Sequence, residues 1–190
     1  MYRAVTLAAI RADVDWQNAE QLVTLTRKLR IEFRERQVWL DGQDVTDLIR
    51  SPSVPDMIRH IADLPAIREI LTEKQRQFAE GRNVVTEGRD QGSEVFPDAQ
   101  CKIFLTASPE ERARRRQQQL AEIGRYVPFE DILAQQNRRD LEDRMRPIGR
   151  LRPAPDAIIL HSDGLSPDDV LLEVLRIVHQ ARGELAATSG

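Results

Sequence analysis

The chain has 190 residues, 41% hydrophobic and 31% charged, the balance of a globular protein long enough for one domain with a sizeable core. Its net charge of −3 argues against a generic nucleic-acid binder, no apolar run approaches the ~20 residues of a membrane span, and the start lacks a signal-peptide pattern. The single cysteine, Cys101, excludes a disulfide framework within the chain and reads as an inert thiol in a buried strand, in keeping with a reducing cytoplasm.

The first element is a helix with no visible start. Val5, Leu7, Ala8, Ile10 and Val14 recur at roughly helical spacing and predict an amphipathic helix to about Ala12, yet no Ser, Thr, Asp or Asn precedes it as a cap. A second helix is expected over 19–29, with Asp15 of "DVDWQN" as its cap. In "IEFRERQVWLDGQDVT" the period changes. Ile31, Phe33, Val38 and Leu40 alternate with polar residues and Asp41-Gly42 marks a turn, which predicts a small antiparallel unit. "SPSVPDMIRHIADLP" reads as a short helix closed by Pro65, and "AIREILTEKQRQFAEG" as a longer one ending at Gly81.

Val84 and Val85 in "NVVTEGRDQG" predict a buried strand running into a glycine-containing loop. "CKIFLTA" predicts a second such strand and "PDAIIL" a third. Ser108, Pro109 and Glu111 form a capping box for a helix that ends at Gly124, and a further helix covers about 129–144. Ser166, Pro167 and Asp169 cap a final helix to about Arg182, after which "GELAATSG" is expected to fray. Short strands alternating with helices imply an α/β fold with a parallel sheet, in which ligands sit at the carboxyl ends of the strands.

Lys28, Lys74 and Lys102 are the only lysines, so nearly all the positive charge is arginine, whose planar fork suits phosphate or carboxylate; coding bias would give the same composition. Three arginine-bearing groups compete. In "EGRDQG" two glycines permit close backbone approach, and Arg89 and Asp90 could bind a phosphate and a base or hydroxyl edge; an ordinary turn with a surface ion pair reads the same. In "EERARRR" Arg112, Arg115 and Arg116 lie on one side of a helix, a pattern equally given by a solvated face of Glu–Arg pairs worth about 0.2–0.5 kcal/mol each. In "NRRDLEDRMR" Arg139, Asp143 and Arg146 share a face that could clamp a phosphate or form a salt-bridged surface. Arginines on two helices and at a strand end suggest phosphoryl transfer, which asks for positioning and positive charge rather than covalent chemistry. His60, His161 and His179 are scattered, with no metal-ligand spacing.

These residues resemble the cytidylate (CMP/dCMP) kinases. "TEGRDQGSEVFPDAQCKIFLTASPEERARRR" is similar to the family's Asp-Gly-Arg-Asp loop and the segments after it, and the likeness continues through "RRDLEDRMR" and "LSPDDV" and back through "DGQDVT". The resemblance implies a P-loop-NTPase-like parallel sheet flanked by helices, with an antiparallel insert in a monophosphate-binding domain. It divides the chain into the start of the core helices (1–29), a CMP-binding domain with the insert (30–81), core strands (82–108), a lid with its flanking helices (109–150) and a C-terminal strand and helix (151–190). It implies transfer of a phosphoryl group from ATP, with Mg²⁺, to CMP or dCMP, by a cytoplasmic enzyme that binds neither nucleic acid nor membrane and is a monomer at full length.

Carried over by position, Arg3, Arg68 and Arg89 match residues that hold the CMP phosphate, and Asp90 matches one at the cytosine. Arg139, Asp143 and Arg146 match the cluster in which the acid reads the sugar hydroxyl and the arginines bridge the phosphates; Arg115 and Arg116 match lid positions near ATP. The chain departs from the pattern at several places. Glu87 replaces an Asp near the Mg²⁺ water shell, Arg59 replaces a small hydroxyl residue at cytosine, Gln91 replaces an apolar residue, and "MRPIGR" replaces the family's "NR…AP". The family's Gly-x-x-x-x-Gly-Lys-[Ser/Thr] loop and its central strand are missing from these residues, and Met1 aligns with an internal Met, so the expectation is an N-terminally truncated record of the enzyme. The competing expectation is a P-loop-less nucleotide-binding protein without catalysis. A third, an arginine-rich RNA-binding module, is disfavoured by net charge and by 5% aromatic content.

Overall fold

The computed structural model describes residues 1–145 and 148–188, with side chains to Gly183. The chain divides into two compact units, Met1–Val84 and Val85–Gly190.

The first unit begins with α1 (Tyr2–Arg11), whose N-cap, Met1, makes no side-chain capping bond; the Met1 carbonyl accepts the Val5 amide at 3.1 Å. Residues Ala4, Val5, Thr6, Leu7, Ala8 and Ala9 are all buried, so α1 is a core helix covered on every side rather than an amphipathic one. In α2 (Ala19–Lys28) the cap is Asn18, whose side chain accepts the Gln21 amide at 3.0 Å. Asp15 sits too early to reach an orphan helix amide, and accepts the Gln17 amide in the turn before at 2.9 Å. Asn18→Ala is expected to cost about 1 kcal/mol, read as a lower urea midpoint.

Strands β1 (Ile31–Arg34), β2 (Gln37–Leu40) and β3 (Gln43–Asp44) form the expected antiparallel unit, with Phe33 opposite Val38 and Ile31 opposite Leu40. Asp41 (φ 49°) and Gly42 (φ 82°) both adopt positive φ, the geometry that matches strand twist in a two-residue hairpin. The other hairpin turn holds an exposed Glu35 at φ 52°. Glu35→Gly should therefore raise stability by about 0.5–1 kcal/mol, visible as a raised urea midpoint, because glycine has no Cβ to strain in this region and a glutamate does. Phe33 meets Phe78 edge-on at 5.1 Å, seating the unit on α4 (Pro65–Ala79). Pro65 does more than close α3 (Ser53–Ala62): it occupies the first turn of α4, where its missing N–H costs nothing. The core joins Val5, Leu22, Val45, Val54, Ile61, Ile67 and Leu71, all fully buried.

The expected strand at Val84 and Val85 does not form. Val85 is fully exposed, and the backbone from 83 to 87 is irregular. A strand requires a ladder partner for its N–H and C=O groups, and among the described residues none pairs with this segment. The second unit holds a parallel pair, β4 (Ile103–Thr106) and β5 (Ile158–His161), in register from Ile103–Ile158 to Thr106–His161. These strands are less buried than their apolar runs predict. Leu105, Ile158 and Ile159 are each about half exposed, because a two-stranded sheet has two open edges and no covered centre. Cys101 lies just before β4 rather than in it, half-buried, and burial pushes its thiol pKa up.

Helix α5 (Pro109–Glu122) starts with half of the expected capping box. Ser108 Oγ accepts the Glu111 amide at 3.2 Å, but the Ser108 amide goes to Asp163 at 2.9 Å, tying the helix start to the segment after β5. After α6 (Phe129–Met145) and β5 comes α7 (Pro167–Thr188), which carries the full reciprocal box between Ser166 and Asp169. The backbone of α7 runs through Gly183 to Thr188, past the expected end at Arg182. Hydrogen bonds from Ser166 hold the Asp169 carboxyl below the usual carboxylate range, and those from Ser108 do the same for Asp163. A depressed folded pKa adds stability at neutral pH that is lost as pH falls through the folded value. Asp169→Asn should therefore lower the thermal midpoint near neutrality and converge with wild type in acid. Among the described residues no helix is long and apolar enough to cross a membrane.

Candidate active site

In the second unit the chain winds around Asp90. A π-helical turn over Gln91–Val95 points the Glu94 and Val95 amides at the Asp90 carbonyl, at 2.9 and 3.2 Å, and Asp90 itself is buried. The two glycines of this loop serve internal packing. A Cβ at Gly88 would lie 2.8 Å from the Gln91 side chain, and one at Gly92 would lie 3.3 Å from that of Lys102. Close approach is used, but by the protein's own side chains.

Arg89 Nη2 lies 3.3 Å from Asp143 Oδ2, which brings the loop before the Gln91–Val95 turn and α6 to one point. The acid is almost completely buried, its side chain 5% exposed, whereas the arginine is 43% exposed. This asymmetry leaves part of the guanidinium fork facing solvent beside a buried counter-charge, an arrangement suited to an arginine presented to an anion. The segment after α6 is tied to the same place: Glu94 Oε2 accepts the Gly149 amide at 3.2 Å, and the Leu151 amide reaches the Asp143 carbonyl at 3.1 Å.

Asp143 ends an inward-facing stripe on α6 that runs through Ile132, Gln136, Asp140 and Asp143. Ile132 packs in a small cluster with Ala113 and Leu120 of α5. Gln136 Nε2 donates to the Arg112 carbonyl at 3.2 Å, and Asp140 Oδ2 meets Arg112 Nη2 at 2.6 Å. Arg112 Nε in turn donates to the Ala107 carbonyl, just past β4, at 3.2 Å.

The remaining predicted residues are placed as follows. Glu87, Arg116 and Arg139 are exposed and make no ion pair with any described residue. Arg146 lies outside the described residues. The same-side trio on α5 divides into three roles: Arg112 holds α6, Arg116 faces solvent, and Arg115 is committed to the fold. Arg115 Nε bonds Glu111 at 2.9 Å, Nη1 bonds Ser162 Oγ at 3.1 Å, and Nη2 reaches the Ser162 and Leu165 carbonyls. In the first unit Arg68 is buried in the opening turns of α4, donating to the Ala62 carbonyl at 3.0 Å with its guanidinium 5.6 Å from the centre of the Tyr2 ring. Arg3 is exposed and donates to the Ile49 carbonyl at 3.3 Å, while Arg59 is exposed on α3. Two of the three lysines are engaged within the protein: Lys74 with the Leu29 carbonyl, and Lys102 with Asp156 at 2.6 Å and the Pro97 carbonyl.

A model of the cytidylate kinase family matches residues 1–180. The chain belongs to the cytidylate kinase family. The cytidylate kinase of Rhodopirellula baltica is 56% identical over 189 residues, which span all of this chain and 82% of that protein. The cytidylate kinase of Caldanaerobacter subterraneus subsp. tengcongensis is 40% identical over 186 residues, 97% of this chain and 83% of the relative. A bifunctional pantoate ligase/cytidylate kinase of a Synechococcus strain is 41% identical over 187 residues, which cover 95% of this chain and 34% of that longer protein. A kinase family of this kind needs anion-binding groups more than nucleophiles, and a half-exposed arginine backed by a buried carboxylate suits that need. Spacing pointed to Arg89 and Asp143 and placed Arg112 in a same-side trio, but missed Gln136, Asp140 and Glu94. For Gln136 and Asp140 the signal was present, because Ile132, Gln136, Asp140 and Asp143 keep to one helical face. For Glu94 none was, since its partner lies 55 positions away.

Proposed function

We propose that this protein transfers the γ-phosphoryl group of ATP to CMP or dCMP, giving ADP and CDP or dCDP. The reading is carried by the 56% identity to a cytidylate kinase across the whole chain. The pairing of Arg89 with buried Asp143 supports it. By the family resemblance Arg89 is assigned to the monophosphate, Asp90 to the base and Asp143 to the sugar hydroxyl; the same resemblance gives Arg3 and Arg68 a role at the monophosphate. Arg139, Arg146 and Arg116 are assigned to the phosphates of ATP and the transferring group, and Arg59 to the base; Arg115, which the resemblance also places near ATP, has its guanidinium engaged by Glu111, Ser162 and Leu165.

Among the described residues no cluster of His, Cys, Asp or Glu forms a metal cage. Glu87 fits what Mg²⁺ asks of a protein when it travels with ATP: a solvent-facing carboxylate near the phosphates, the other ligands being water and phosphate oxygen. Bound there, the cation would offset charge on the β- and γ-phosphate oxygens.

A second reading is nucleotide binding without turnover. A coupled ADP-release assay with CMP, dCMP and UMP separates the two, run beside calorimetric titration of CMP. Turnover with CMP or dCMP well above UMP supports the kinase reading. CMP heat with no ADP release, both from these residues and from a version extended upstream, supports the second.

A further inference from the structure

We propose that Arg112 and Asp140 are a positioning pair whose function is to hold the Asp143 carboxylate against Arg89. The proposal rests on the reading of Arg89 and Asp143 as substrate-facing groups. Four residues make up the inward stripe of α6, and they differ in what they fix. Ile132 meets Ala113 and Leu120 through apolar contact, which is non-directional and tolerates a helix rolling about its own axis. The stripe then becomes polar, and from Gln136 onward every inward contact is directional. Gln136 donates to the Arg112 carbonyl and Asp140 accepts from the Arg112 guanidinium at 2.6 Å, one helical turn before Asp143.

Arg112 is itself immobilised. Its Nε is held by the Ala107 carbonyl at 3.2 Å, and that residue directly follows β4. A planar guanidinium bridging a sheet-end carbonyl and a helix carboxylate sets both the distance and the rotation of α6 relative to the end of the strand. The pair is largely shielded, with side chains 31% and 18% exposed, so salt screens it less than a surface pair. The contact it protects is easily lost: Arg89 and Asp143 stand 3.3 Å apart, and a small roll of α6 would separate them.

The test uses the isosteric Asp140→Asn, and Arg112→Lys, which keeps the charge but cannot bridge Ala107 and Asp140 at once. Two readouts are taken on the full chain: the NMR signal of the Arg89 Nε–H, and the calorimetric CMP affinity. Asp140→Asn and Arg112→Lys should both move the Arg89 signal to the position it takes in Asp143→Asn. Each should weaken CMP binding about tenfold, a coupling of middling size. In the Asp143→Asn background, Asp140→Asn should add no further loss, because the group it positions is already gone. An unchanged Arg89 signal, losses that multiply in the double variant, or a silent Arg112→Lys would overturn the proposal and leave the pair as a stabilising contact alone. If the wild-type chain gives no CMP heat, the cytidylate reading fails, and the Arg89 signal still decides the role of the pair.

Discussion

Arg89→Ala is expected to weaken CMP binding by at least about 30-fold, with a much smaller effect on folding. Truncating one member of a shielded charge contact typically costs about 2–5 kcal/mol of binding, and the lower end of that range corresponds to roughly 30-fold. The stability cost should stay near 1 kcal/mol, because Arg89 is already half in solvent and its removal lets water reach Asp143. Arg89→Lys should recover only part of the affinity, since an ammonium group cannot orient on Asp143 and present a planar fork to a phosphate at the same time. Titration calorimetry and urea unfolding of the two variants check this together. Wild-type affinity in Arg89→Ala would remove the loop from the phosphate site.

Leu71→Ala should cost about 2–5 kcal/mol, and Leu105→Ala well under half of that. Both delete the same atoms, but Leu71 is fully buried in the first unit whereas Leu105 is 54% exposed on β4. The first leaves a cavity lined by side chains that cannot collapse into it; the second returns to water a surface that was already half wet. Urea unfolding of the two variants gives the comparison directly. Against a total stability of about 5–15 kcal/mol, the Leu71 variant should come close to unfolding the first unit at physiological temperature.

Much of the local structure was legible in the sequence because its causes are local. Asp41-Gly42 produced the predicted hairpin since both positions need positive φ, and Asp and Gly supply it cheaply. Ser166, Pro167 and Asp169 capped α7 as their spacing implied, through bonds that span three residues. The misses have non-local causes. Asp15 is as good a capping residue as Asn18 in isolation, and only the point at which α2 begins decides between them. Val84 and Val85 have strand character, but strand formation depends on a partner that a local pattern cannot supply.

The candidate site divides along the same line. Residue types and spacing, read with the family resemblance, determined the family, cytidylate kinase, and singled out Arg89 and Asp143 as proposed phosphate- and sugar-binding residues. They also determined an α/β chain with an antiparallel insert. Only the tertiary structure decided which arginines remain available. Arg112, Arg115 and Arg116 are indistinguishable as a helical pattern, yet one holds α6, one is absorbed by Ser162 and Leu165, and one faces solvent. A guanidinium acts through its hydrogen-bond partners, and the ones that set Arg112 and Arg115 apart, Asp140 for the first and Ser162 and Leu165 for the second, lie 28 to 50 positions away in the chain, beyond the reach of any periodicity.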